Sequence, residues 1–391
     1  MIVGIPKELY PGERRVSMVP ALVPTLAKAG FEVLVETSAG ESAGFSDRSY
    51  VEKGASLARH RSQVFTDAEV LLQVRSPGAA GNSGQIDLES LRTGQAIIGL
   101  SEPLAEPTMA LAVARRGITA FSMELIPRIT RAQSMDALSS MATIAGYKAV
   151  LLAAETLPRM FPMMITAAGT ITPARVFIVG AGVAGLQAIA SARRLGAKVE
   201  AYDVRPAVKE QVESLGARFV DLQLKTSNTE DAGGYATTQD ESFYRQQREI
   251  MAKVIASSDV VITTALVPGK TAPILVTTEM VAGMDAGAVI VDLAAERGGN
   301  CALTRPDQTV MKHGVTILGP TNLPSTVPFH ASQMYAKNVS TLLLHLVKNG
   351  QLALDFDDEI TKGTLVSRGG DLIHPLVRKA LHTCEEVNQS Q

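Results

Sequence analysis

The chain of 391 residues contains no Trp, and aromatic residues make up only 4% of it. Surfaces that stack sugars or unpaired bases are built from aromatic rings, so those functions are disfavoured. It has only two Cys, Cys301 and Cys384, neither in a CxxC pair. That excludes a disulfide framework, supplies no zinc or redox motif and points to a reducing compartment. Charge of either sign is not in excess: 37 Lys and Arg against 39 Asp and Glu leave a net charge of −2. A general nucleic-acid binder needs a basic surplus, so none is expected as a partner. There is also no long unbroken apolar run. The nearest candidate, about 141–170, is interrupted by Lys148, Glu155 and Arg159, whereas a membrane span needs ~20 nearly uncharged residues. The opening MIVGIPKELYPGERR has no charged stretch before an apolar one, so no signal peptide is expected. The histidines His60, His313, His330, His345, His374 and His382 show no metal-ligand spacing, and no metal is expected.

What is present is core material. Hydrophobic residues are 46% and charged residues 19% of the chain, which excludes disorder as the main state. At ~150 residues per domain the length suggests two or three domains. In the first third, MIVGIP, EVLVET, VLLQVR and AIIGLS read as strands, with ALVPTLAKAG, SLRTG and MALAVARRG between or after them at helical spacing. Residues 136–155 read as a long helix with a stripe of small residues at Ala142, Ala145, Gly146 and Ala149, the mark of a tightly packed core helix. From Arg175 a second α/β unit begins, with strands in RVFIVG, KVEAYD, ARFVDL, DVVITTAL, AVIVDLA and VTILGP. Alternating strands and helices predict two doubly wound, Rossmann-like parallel-sheet domains of the α/β class. The ~60 residues after Pro328 are too few for a stable domain. They carry a helix at 332–348 and are expected to return to the first domain. The expected division is therefore 1–135 plus 330–391, and 136–329.

The strongest local signal is RVFIVGAGVAGLQAIASARRLGAKVEAYD. A strand meets Gly180, Gly182, Val183, Ala184 and Gly185, a helix follows at once, and a second strand ends in Asp203, Val204 and Arg205. In such a turn the first Gly allows the sharp bend, the second admits a pyrophosphate and the third lets the helix pack close. The helix N-terminus offers N–H groups to phosphate. A carboxylate at Asp203 suits the two ribose hydroxyls of NAD and repels the 2′-phosphate of NADP; Arg205, which could accommodate that phosphate, is expected instead to stack on adenine or pair locally. The strand end from Thr264 through Ala265 and Leu266 to Pro268 is expected to line the nucleotide, with Asp292 and Glu296 near the same edge and Asn322 near the nicotinamide. The polar stretch 224–245 reads as a long loop.

These motifs carry a family resemblance. IPKE at 5–8, GERRV at 12–16, PRITRAQSMDALSS at 127–140, GAGVAGLQAIA at 180–190, DAGGYA at 231–236, VDLAAERGGN at 291–300 and GPTNLPS at 319–325 span nearly the whole chain. It resembles the NAD(H)-binding component (domain I, alpha subunit) of proton-translocating NAD(P) transhydrogenases and, more distantly, the alanine dehydrogenases. The resemblance implies an oxidoreductase and translocase active only with partner subunits. NADH bound here would pass a hydride directly to NADP⁺ on an NADP(H)-binding partner component, and a membrane component would couple the exchange to proton movement. It also implies a homodimer, cytoplasmic and peripheral on the inner membrane, with the NAD site in a cleft on the second domain. Such a step needs two rings placed at roughly 3–3.5 Å with water excluded, rather than a nucleophile. In the family, the residues matching Arg128 and Ser139 hold the carboxamide and its surroundings, and those matching Gln133 and Asp136 reach the ribose and the incoming nucleotide. Read without the family, Ser134 or Asp136 caps the helix. Tyr235 would lie near the tip of a mobile loop.

The runner-up, an alanine-dehydrogenase-like amino-acid oxidoreductase, needs an Arg clamp, a Lys and a catalytic His. Arg15 is present, but the matching positions hold Arg75 and Ser101. Neither replaces an acid–base group, so no amino-acid substrate is expected. Arg15 and Arg75 are left as packing or charge partners.

Overall fold

A computed structural model describes residues 1–221, 241–266, 271–348 and 350–389. The chain divides into two compact units, Met1–Met141 with Ser325–Gln391, and Ala142–Pro324.

In the first unit an eight-stranded sheet runs in the order Asp371–Leu372, Leu365–Arg368, Thr119–Ser122, Ala96–Leu100, Val70–Arg75, Ile2–Ile5, Glu32–Glu36 and Ser56–Ala58. The six strands from the N-terminal segment pair in parallel. Their Val- and Ile-rich runs are buried on both faces, as parallel strands between helices must be. The two C-terminal strands add antiparallel to Thr119–Ser122, so the returning chain completes this sheet. Val64, Phe65, Leu71, Ile97, Ile118 and Val366 lie in one core cluster.

In the second unit seven strands run in the order Arg218–Phe219, Lys198–Tyr202, Arg175–Val179, Val260–Thr263, Val289–Asp292, Val315–Leu318 and Thr309–Lys312. All are parallel except the last. Chain order reverses between Arg175–Val179 and Val260–Thr263, which makes their C-terminal ends the switch point where ligands bind in open α/β sheets.

Helix Ala137–Thr156 is long and apolar enough, by length and composition, to cross a membrane. Its Ala149, Val150 and Ala153 are instead buried in the second unit's core. A Cβ on Gly146 would sit 2.1 Å from the Ala184 carbonyl oxygen. The small-residue stripe therefore lets this helix lie directly on the first turn of helix Val183–Arg194.

Several elements differ from the sequence reading. Of SLRTG only Ser90 is helical, as the last residue of helix Asn82–Ser90. ARFVDL contributes only Arg218–Phe219, and its Leu222 lies outside the described residues. The polar stretch 224–245 ends in helix Glu241–Ala256; its earlier portion lies outside the described residues. The helix expected at 332–348 is Pro328–His345, with Pro in its first turn, where a missing N–H costs nothing; helices Glu359–Thr364 and Pro375–Gln389 follow it. Val347–Lys348 pairs instead with Gln351–Leu352. The strands Thr119–Ser122, Ser56–Ala58 and Thr309–Lys312 are absent from the sequence reading because each has only three or four residues.

Replacing Gly146 with Val should overpack the contact with Ala184 and cost about 1–3 kcal/mol of stability. Chemical denaturation followed by circular dichroism measures it; an unchanged midpoint would show that the two helices can part freely.

Candidate functional site

The Gly-rich turn is built by steric exclusion. Gly180 has φ +100°, a left-handed conformation that side chains other than Gly rarely adopt. A Cβ there would meet Thr264 Oγ1 at 2.5 Å. The Thr264 hydroxyl instead donates to the Gly180 carbonyl at 3.0 Å, tying the neighbouring strand end to the turn. A Cβ on Gly185 would lie 1.9 Å from the Gly180 carbonyl oxygen, so helix Val183–Arg194 can start immediately. No side chain caps that helix N-terminus, which leaves its first N–H groups and partial positive charge for a ligand. The cradle has room: a Cβ on Gly182 would meet only Arg205 Nη2, at 3.8 Å. Val183 is exposed and Ala184 half-buried beside it. These features fit a dinucleotide pyrophosphate.

Asp203 is buried at the next strand end, and both its oxygens are engaged. Oδ1 accepts the Arg205 backbone N–H and Nε–H, each at 2.9 Å. Oδ2 accepts the Ala181 N–H at 2.7 Å and Arg205 Nη2 at 2.9 Å. A carboxylate offers about four lone-pair directions, and all are taken. A ribose diol can bind Asp203 only by displacing the guanidinium. Arg205 thus pairs locally, one of the two alternatives read from sequence. Val204 packs against the core cluster of this sheet side.

Beyond Thr264, the backbone of Ala265 is clamped. Its N–H donates to Asn300 Oδ1 and its carbonyl accepts from Asn300 Nδ2, both at 2.9 Å. Leu266 is exposed at the end of this strap. Residues 267–270, including Pro268, and Tyr235 lie outside the described residues. Asn300 was missed in the sequence. Its signal was the Gly-Gly-Asn step after a strand, which reads as a turn until the partner is known. Asp292, read as lying at the nucleotide edge, is structural: it accepts from Thr263 at 2.8 Å, Ala294 at 3.0 Å, Cys301 at 2.9 Å and Thr304 at 2.6 Å. Glu296 accepts the Asn322 N–H at 3.2 Å, steadying a residue whose φ is +46°.

The Arg-Gln-Asp-Ser segment belongs to the first unit. Thr130–Met135 is a 3₁₀ stretch leading into helix Ala137–Thr156. Asp136 caps that helix, accepting the Ser139 N–H at 2.8 Å and the Ser139 hydroxyl at 2.6 Å. Arg128 and Gln133 are exposed. The structure thus groups Gly180, Gly182, Val183, Ala184, Gly185, Asp203, Arg205, Thr264 and Ala265 in one unit, with Asp136 and Ser139 paired in the other.

The first unit also buries an ionic cluster. Arg15 donates to Glu13 from Nε at 2.7 Å and from Nη2 at 2.6 Å. Arg75 Nε donates to Glu13 at 3.2 Å, with its guanidinium 4.2 Å from the Tyr10 ring centroid. Burial would push the Glu13 carboxyl up, but Arg15 outweighs it and holds the pKa at about 2. Both arginines are charge partners of this chain's own carboxylate. Ser101 offers no base, and its N–H donates to Glu124 at 2.8 Å. Because the folded pKa of Glu13 is depressed, its stabilisation is present above the unfolded value near 4.5 and lost as pH falls toward 2. Glu13→Gln should cost about 3–5 kcal/mol near neutral pH by leaving buried guanidinium unpaired. In denaturation curves the gap to the native chain should close between pH 4.5 and 2; a pH-independent gap would contradict the pairing.

Comparisons with known proteins agree with this architecture. Models of the alanine dehydrogenase/PNT N-terminal and C-terminal domains match residues 4–145 and 149–375. An NAD(P) transhydrogenase subunit alpha polypeptide of Rhodospirillum rubrum is 47% identical over 380 residues, covering 96% of this chain and 98% of that protein. The crystal structure of a transhydrogenase from Sinorhizobium meliloti superposes with a TM-score of 0.83 at 42% identity, covering 96% of this chain and 99% of that one. A structure of L-alanine dehydrogenase gives 0.81 at 27% identity, covering 98% and 99%. The chain belongs to the alanine dehydrogenase/PNT family, among the NAD(P) transhydrogenase alpha subunits.

Proposed function

We propose that this chain is the NAD(H)-binding component of a proton-translocating NAD(P) transhydrogenase. It presents NADH for direct hydride transfer to NADP⁺ on a partner component, and a membrane component couples the exchange to proton movement. The observation that carries this reading is the Gly180–Gly185 turn with Asp203 at the switch point of a doubly wound sheet, in a chain of this family. The uncapped N-terminus of helix Val183–Arg194 holds the pyrophosphate. Asp203 takes the adenosine ribose in exchange for Arg205, and Asn300 fixes the Ala265 strap along the nucleotide. Asn322 and segment 128–139 serve the nicotinamide end. There Arg128 and Ser139 hold the carboxamide and its surroundings, and Gln133 and Asp136 meet the ribose and the incoming nucleotide. The bound dihydronicotinamide supplies the hydride; the chain supplies orientation and exclusion of water.

The Ser139 hydrogen bonds orient Asp136 while leaving its oxygens lone pairs for a ribose hydroxyl. Neither Arg75 nor Ser101 can shuttle a proton, which argues against an amino-acid dehydrogenase. We also place the chain as a homodimer, peripheral on the cytoplasmic face of a membrane. The hairpin of Met164–Thr166 and Gly169–Ile171 supports the dimer, because it carries Ile165 at 77% exposure beside exposed Met163, Met164 and Ile171. Apolar surface of this kind is ordinarily covered.

Mixing the chain with the NADP-binding component should give exchange between NADH and an NADP⁺ analogue, with no alanine oxidation in a parallel assay. Asp136→Asn should lower transfer about a hundredfold while leaving NADH affinity near normal; a proportional loss of binding would contradict its role. Asp203→Ala should weaken NADH at least about tenfold, the cost of lost hydrogen bonds to a charged group, and relax discrimination against NADPH. Equilibrium titration with both nucleotides checks this, and unchanged selectivity would refute it.

A further inference from the structure

The side chains of segment 128–139 sit on a strap with little hydrogen bonding of its own, since Thr130–Met135 is a lone 3₁₀ stretch. Its placement comes from helix Pro328–His345, on which it packs. Ala132 and Met135 turn inward while Gln133 and Ser134 face out. On that helix Asn338, only 5% exposed, donates from Nδ2 to the Ser134 carbonyl at 2.9 Å. Facing a carbonyl, only the NH₂ end can make this bond, which fixes the amide orientation. Asn338 Oδ1 is left buried with no hydrogen-bond partner. A buried acceptor without a partner costs ~1–3 kcal/mol, so stability alone does not favour Asn here. A second tether, Arg131 Nη2 to Asp358 Oδ1 at 3.0 Å, is exposed on the arginine side and correspondingly weak.

We propose that Asn338 is a positioning residue for hydride transfer: it pins the Ser134 carbonyl so that Gln133 and Asp136, on either side of it, hold fixed places. This rests on the role proposed above for segment 128–139. Without the pin the strap keeps its apolar anchors, Ala132 and Met135, but gains freedom at Ser134. The Gly-rich turn that binds NADH is untouched. Misplacement of about 1 Å can cost up to ~10²-fold in rate.

The test compares Asn338→Leu, Asn338→Asp and Asp136→Asn in the reconstituted exchange, with NADH affinity and thermal midpoint measured on each. Asn338→Leu should lower kcat about ten- to a hundredfold with NADH affinity and midpoint nearly unchanged. Hydrogen exchange at residues 132–136 should quicken while helix Ala137–Thr156 stays protected. Asn338→Asp cannot donate while ionised, so it should lose activity at alkaline pH. It should regain activity as the carboxyl takes up a proton, whereas the Leu variant should not. Full kcat in Asn338→Leu beside a large loss in Asp136→Asn would overturn the role of Asn338 alone. Full kcat in both would overturn the role of the segment. A loss matched by falling NADH affinity, or by a falling midpoint, would reduce Asn338 to a structural residue.

Discussion

The second unit depends on backbone atoms meeting where no side chain can fit. Gly185 lies against the Gly180 carbonyl, Gly180 against Thr264, and Gly146 against the Ala184 carbonyl. Together these approaches hold a strand end, its neighbour, the helix that follows and the long helix behind it as one block. The consequence is electrostatic. A helix N-terminus without a side-chain cap is held at the switch point of the sheet, beside a carboxylate whose lone pairs are all occupied. Such a place is ready for an anion, because the donors are oriented before the ligand arrives, whereas a diol reaches Asp203 only in exchange for Arg205.

The first unit shows the complementary economy. Its buried charges are satisfied internally: Glu13 holds Arg15 and Arg75, and Glu8 accepts the Val74 and Arg75 N–H groups at 2.6 and 3.2 Å. Burial and the neighbouring Glu13 raise the Glu8 pKa to about 8, so this corner carries less negative charge than its carboxylates suggest. Both arginines of the cluster are thereby held on the chain's own carboxylate.

Much of this was legible in the sequence, for identifiable reasons. The Gly180–Gly185 spacing, the strand before it and Asp203 after it fix a βαβ unit through local geometry alone. Buried parallel strands such as VFIV and VVIT announce themselves by unbroken β-branched and aromatic residues. Asn300, Asn338 and the structural duty of Asp292 were not legible, because each depends on a partner distant in sequence: Ala265, Ser134 and Thr263. Likewise, choosing Asp136 rather than Ser134 as the helix cap required the backbone direction at that point. Strand Thr309–Lys312 is not legible because a four-residue antiparallel edge strand with three exposed residues shows no alternation to read.

The central claim is that the chain contributes placement and no proton chemistry to a direct hydride exchange. The sharpest measurement follows an isotope. NADH carrying deuterium at the transferable C4 position is turned over with the partner component and an NADP⁺ analogue in ordinary water, and the reduced product is analysed by mass spectrometry. The account predicts that the deuterium passes to the product without dilution, and that unlabelled NADH in heavy water yields unlabelled product. Deuterium lost to solvent, or gained from it, would contradict the account.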